Sequence, residues 1–375
     1  MKKILLVLIF SIVIYCLFTF FSFKQTQKIP FNHHLIQFSG AFFPTNNNML
    51  FAYSGCNINF KTNSKSLILI FNDFSNLPQS NYIRVEVNNK DTILQMLSTI
   101  KKYDVSTLIS EKESVVRIFK LTEASIGKIE FEGLKIDEGA ELISLQLPKN
   151  KIVWIGNSIT TGYGNEISVL APPKGNPNTG FHSKNQNNYK AWGSLASRIC
   201  DAQAIHLCYS GKGLYRNFDG SNELLIHQFI QKSIPQDDLE IISSTVTAPI
   251  YIVHAGTNDF GYEGANPQFK VDSALFVNGI HKVFKIIESW NFNAEIIVVS
   301  SNMISDFFPK NGNKRFKKYI QSAVQNFDNK SLKFHFLELK VQSEPYGENW
   351  HPSAFEHELM AKQIVPLLQS ILQKQ

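Results

Sequence analysis

The sequence predicts two domains in series. An all-β sandwich or jelly roll over residues 30–148 precedes an α/β domain over 149–375, whose mainly parallel sheet is covered by helices on both faces. Three observations predict this. Before Pro148 the chain consists of short alternating or apolar runs separated by turn residues, without a sustained helical period. After Pro148, short apolar runs alternate with segments of helical spacing, as a parallel sheet with crossover helices requires. The turns after these later runs carry the residue types of acyl transfer.

Residues 1–24 stand apart from both domains. Lys2 and Lys3 precede an uncharged run over 4–23, and about 20 apolar residues suffice to cross a bilayer as a helix. The segment therefore reads as a signal peptide or membrane anchor, which places the rest outside the cytoplasm, anchored or secreted. No small-x-small cleavage site follows, and Ile14 and Tyr15 before Cys16 fit a lipoprotein site poorly, which favours an uncleaved anchor.

In the first domain, 66–71 reads as a buried strand, and 82–87 alternates Ile83, Val85 and Val87 with Arg84 and Glu86 before a polar turn at 88–91. Strands at 115–121 and 129–136 follow, the latter with Gly133 as a candidate bulge. In the second domain, 152–155, 204–209, 250–254, 295–300 and 332–337 read as buried strands. Helices are expected over 273–290, 316–327 and 354–372. With 375 residues, 43% of them hydrophobic, there is material for two cores. Outside the first segment only Cys56, Cys200 and Cys208 remain, so the fold does not depend on disulfides. Cys200 and Cys208 either pair or stay as buried thiols. The net charge of +6 is spread without basic runs interleaved with aromatics, which argues against nucleic acid as a partner. No C-x-x-C or similar spacing calls for a metal.

Four turns carry chemistry. Gly156-Asn157-Ser158-Ile159-Thr160 places a serine directly after a strand, where its hydroxyl can face a cleft and its amide a developing oxyanion. Alone, this is also an ordinary helix N-cap. Ser210-Gly211-Lys212-Gly213 follows the next strand, and a glycine lets the backbone approach a ligand, so the Gly211 amide is a candidate second donor. Gly256-Thr257-Asn258-Asp259 offers the Asn258 side-chain amide as a third. His351-Pro352 precedes the last helix and supplies a base. Each turn is unremarkable alone, but together they provide a nucleophile, a base and three oxyanion donors.

The ordered quartet Ser158, Gly211, Asn258 and His351 resembles the four blocks of the SGNH, or GDSL, hydrolases. The β-rich region leading into Lys151-Ile-Val-Trp-Ile-Gly-Asn-Ser-Ile-Thr-Thr-Gly-Tyr-Gly-Asn-Glu166, together with Ser210-Gly-Lys-Gly-Leu-Tyr-Arg-Asn217, is similar to carbohydrate esterase family two. That resemblance spans about residues 35–370. It implies an amino-terminal jelly roll joined to a flavodoxin-like three-layer catalytic domain with a five-stranded sheet. It also implies a serine esterase that removes acetyl groups from acetylated polysaccharide or oligosaccharide, without cofactor or metal, by a dyad or a triad.

Two departures stand out. Asn157 occupies the position of the family's usual aspartate before the serine. Glu348 lies three residues before His351, where many relatives carry aspartate. It can complete a triad with Ser158 and His351, or it can be a loop charge, leaving a backbone carbonyl to hold the ring. Trp350 is the candidate sugar platform, and Asn165, Glu166 and Arg216 are candidates to bind hydroxyls. The rival functions are a non-catalytic surface carbohydrate-binding protein, and a lysophospholipase or thioesterase of the same fold. The sequence leaves the sugar, the ester position and the oligomeric state open.

Overall fold

Alternation along the first-domain strands sets the sandwich. In Tyr82–Val87, Ile83, Val85 and Val87 are buried while Arg84 and Glu86 face outward, because successive side chains of a strand point to opposite faces. Outside, Glu86 pairs with Arg84 and Arg117. The computed structural model describes residues 25–237, 239–329 and 331–374, and residues 1–24, predicted as signal peptide or anchor, lie outside them. Among the described residues no helix is long and apolar enough to cross a membrane.

Two antiparallel sheets of six strands each form the sandwich. Gly127–Asp137 pairs with Leu67–Ser75 across a register shift between Phe131 and Gly133, the predicted bulge. Ser114–Lys120 lies between Asn57–Thr62 and Tyr82–Val87 in the second sheet. The first strand, Thr26–Pro30, precedes the expected start at residue 30 and pairs along Gly133 to Asp137. Its polar sequence carries no alternation strong enough to have announced it.

Five parallel strands form the second domain in the order Ala202–Cys208, Asn150–Gly156, Ile250–His254, Glu295–Val299 and Lys333–Leu337. This is the flavodoxin-like order, and its switch point falls at Asn150–Gly156, where such sheets open a crevice at their carboxyl ends. Trp154 and Ile152 face a core closed by the carboxyl-terminal helix Ala354–Leu372 through Met360, Ile364 and Leu368. Val153 and Ile155 face the opposite core, which runs continuously into the sandwich through residues such as Phe60 and Ile118. The helices Ser273–Trp290 and Ala354–Leu372 have the predicted bounds. The one expected over 316–327 begins four residues earlier, in Gly312–Gln325. Cys200 and Cys208 do not pair: Cys56, Cys200 and Cys208 are free thiols, and Cys200 is only partly buried.

Candidate active site

The serine turn is set by its neighbours. Strand Asn150–Gly156 ends in a glycine because a Cβ there would collide with the Thr160 side chain. Asn157 then caps the short helix Ser158–Thr161, its Oδ1 accepting the Ile159 amide at 3.2 Å. A cap needs an acceptor and not a charge, so asparagine serves here as well as an aspartate would. Ser158 is left at the mouth of the sheet, 7% exposed.

His351 meets it from the loop before the last helix. Ser158 Oγ lies 2.8 Å from His351 Nε2, and His351 Nδ1 lies 3.0 Å from the Glu348 carbonyl oxygen. A carbonyl can only accept, so Nδ1 carries the proton and the Nε2 lone pair faces the serine hydroxyl. The Tyr163 ring stacks on the imidazole at 4.2 Å between centroids and 27° between planes, and the Tyr163 hydroxyl accepts the Asn349 side-chain amide at 2.8 Å. Burial pulls the His351 pKa down to about 4, and hydrogen bonds to backbone carbonyls offset only part of that.

The carboxylate of Glu348, read from the sequence as a candidate triad acid, points elsewhere. It is fully buried and accepts the His182 amide at 3.0 Å and the Asn185 side-chain amide at 2.6 Å, with His182 Nδ1 3.0 Å away. Three residues before the histidine, the backbone turns so that the Glu348 carbonyl and not its side chain meets the ring. The base is therefore oriented by main chain. The carboxylate instead ties the loop 176–186 to the histidine loop, helped by the Asn349 amide to the Pro177 carbonyl at 2.7 Å.

Sheet register brings the other two turns alongside. Gly156 is level with Cys208 on one side and His254 on the other, so the segments that follow all leave the same edge. Gly211 has φ +77°, in the left-handed region that favours glycine. Asn258 Nδ2 donates to the Lys212 carbonyl at 2.8 Å, which uses one of its two N–H groups and fixes the plane of the other. Asp259 beside it is buried and accepts the amides of Leu214, Tyr215 and Arg216 at 2.9–3.0 Å, and its burial raises its pKa to about 6.

The predicted sugar contacts divide. Trp350 is partly exposed beside His351, with φ +64° and its indole N–H donating to Asn178 Oδ1 at 2.9 Å. Asn165 is instead buried and exchanges two hydrogen bonds with the Asn187 backbone, at 2.9 and 3.0 Å. Glu166 takes the Asn187 side chain and Lys190 Nζ. Arg216 lies over the Tyr262 ring and donates to the carbonyls of Asp259 and Phe269. Each of these three is engaged with partners on its own domain, which ties together the loops it stands on. Tyr163 was missed by sequence reasoning, although an aromatic between Gly162 and Gly164 just after the serine turn was a signal. His182 and Glu123 carried none. Among the described residues no group of three His, Cys, Asp or Glu side chains is placed to hold a metal.

Comparison with known proteins shows which folds and sequences this chain is similar to. Residues 38–145 match the family described as Carbohydrate esterase 2 N-terminal. The fold is that of a family two carbohydrate esterase from Clostridium thermocellum solved in complex with cellohexaose, with a TM-score of 0.76 and 22% identity over 90% of this chain and 99% of that one. The chain is similar to the family two carbohydrate esterases in fold and in its first domain. An acetylxylan esterase / glucomannan deacetylase of Cellvibrio japonicus is 27% identical over 87% of both chains. The cellulase/esterase CelE of Acetivibrio thermocellus is 28% identical over 66% of this chain, which spans 29% of that longer relative. The two-domain fold, a β-sandwich followed by a five-stranded parallel-sheet domain, is thus shared with the solved esterase.

Proposed function

We propose that the protein is a serine esterase that removes O-acetyl groups from carbohydrate. The observation that carries this reading is the 2.8 Å contact between Ser158 Oγ and an imidazole whose other nitrogen is held by a carbonyl. This arrangement makes Nε2 a base toward the serine and toward nothing else. Ser158 Oγ attacks the ester carbonyl while Nε2 takes its proton. The tetrahedral intermediate collapses, the sugar hydroxyl leaves with that proton, and an acyl group stays on Ser158. Water then repeats the sequence. The amides of Ser158 and Gly211 and the free N–H of Asn258 are the oxyanion donors, each contributing about 2.7–4 kcal/mol to the transition state. Acetylated carbohydrate as substrate is supported by the deacetylase relative and by the cellohexaose bound to the structural relative. Trp350, partly exposed beside the base, is our sugar platform. An extracytoplasmic location rests on the apolar run at 4–23 behind Lys2 and Lys3.

The test is Ser158→Ala assayed on a chromogenic acetate and on acetylated xylan or glucomannan. Turnover is expected to fall by roughly 10⁴- to 10⁶-fold with the fold intact. A variant keeping a tenth of wild-type turnover would end the assignment. Wild-type rates on octanoyl esters equal to those on acetyl esters would move the substrate to lipid.

A further inference from the structure

One carboxylate of the sandwich is buried against the other domain's second donor loop. Glu123 stands in the turn between Ser114–Lys120 and Gly127–Asp137 and is 1% exposed. Its Oε2 accepts the Ser210 amide at 2.7 Å and its Oε1 accepts the Ser210 hydroxyl at 2.6 Å. Gln186 returns the contact, accepting the Glu123 amide at 3.1 Å. Lys120, wholly buried, holds the turn by donating to the carbonyls of Thr122 at 2.8 Å and Glu123 at 3.2 Å. Thr122 in turn donates to Asn81, and Asn81 to Asp73. A chain of buried polar groups therefore runs from a sandwich strand to the residue before Gly211.

Such a chain is a poor way to gain stability. Desolvation pushes the Glu123 pKa up and pulls that of Lys120 down to about 7, and apolar side chains of similar volume commonly stabilise a protein as well or better than buried charges do. Its yield is geometric. Gly211 belongs to a peptide whose nitrogen side has no side chain to fix it, and glycine turns freely about φ. Glu123 fixes the amide and the hydroxyl of Ser210 on one side of that peptide, and the Phe218 amide fixes the Gly211 carbonyl at 2.9 Å on the other.

We propose that Glu123 is a positioning residue for the oxyanion hole, setting the Ser210–Gly211 peptide so that the Gly211 amide meets the carbonyl oxygen of an ester at Ser158. The inference rests on the esterase reading above. Glu123→Ala is expected to lower kcat roughly 10- to 100-fold, a fraction of what one oxyanion donor supplies, with KM for a small acetate little changed. Glu123→Gln restores most of the loss, since its oxygen can accept the Ser210 amide and its N–H₂ can donate to the Ser210 hydroxyl. Ser210→Ala removes one of the two grips without disturbing Lys120, so it decides the matter if Glu123→Ala does not fold, and a smaller fall in kcat is expected of it. Inhibition by an arylboronic acid, which forms a tetrahedral adduct on serine, weakens in step with kcat. Variants with lowered Tm but wild-type kcat and boronate inhibition would show that Glu123 is only structural. Ser158→Ala run alongside separates the failures: if it stays active the esterase reading falls, and if it is dead while the Glu123 and Ser210 variants keep full kcat, only this inference does.

Discussion

In the parallel-sheet domain Ser158, Gly211 and Asn258 leave adjacent strand ends in register, and His351 precedes a helix that covers the same sheet. The sandwich approaches the same edge differently, through turns. Gln79 accepts the Ser183 amide at 2.8 Å and donates to the Phe181 carbonyl, the Ser80 amide donates to the Ser183 hydroxyl, and Glu123 grips Ser210. One domain presents groups that can react, and the other holds the loops on which they, or their neighbours, stand. The sandwich is thus not a tethered module with an independent role. Its core is continuous with one face of the parallel sheet, and cutting between the domains would expose apolar surface on both.

The comparison explains what could be read in advance. The strand ends were legible because a residue's place at a strand terminus is a local property: Gly156, Gly211 and Gly256 each follow an apolar run within a few positions. The quartet followed from order alone. Partners far apart in sequence were not legible. Glu123 lies 87 residues from Ser210, and Gln79 lies 104 from Ser183, and no periodicity links such pairs. Glu348 shows the limit at short range. Its distance of three residues from His351 was visible, but whether its carbonyl or its carboxylate meets the ring depends on a left-handed Asn349, φ 49°, that spacing does not reveal.

If the sheet domain holds the reacting groups, the largest losses come from it. His351→Ala should lower kcat by about 10⁴-fold or more, close to the loss from Ser158→Ala, because a pair acting as one unit is lost with either member. The double variant should be no worse than the single ones, as measured on a soluble acetate. Additive losses would break the unit apart. Asn258→Ala comes next, with kcat down roughly 10²- to 10³-fold and KM little changed, as for a donor used in the transition state. A rise in KM alone would make Asn258 a substrate-binding group and leave the hole with two donors.

The smallest effect sharpens the comparison most, because it falls on a residue of the sheet domain that should behave like one of the sandwich. Glu348→Gln keeps an acceptor but gives up part of its grip on His182 and Asn185, and loosening one or two buried hydrogen bonds costs about 1–3 kcal/mol of stability. Through the backbone it should lower kcat by no more than about tenfold, far from the ~10⁴ lost when a triad carboxylate is neutralised. The pH profile distinguishes the two cases by sign. His351 takes a proton only when neutral, and with its pKa lowered to about 4 the acidic limb of kcat/KM should rise through about pH 4 and level off above it. A carboxylate facing the ring would favour the imidazolium, so its loss would drive the limb lower still. With a carbonyl as the ring's partner there is no such charge to lose, and Glu348→Gln should leave the limb in place. A limb displaced to lower pH together with a kcat loss near 10⁴ would return Glu348 to the reacting groups. An unmoved limb leaves it among the residues that aim the base without touching it.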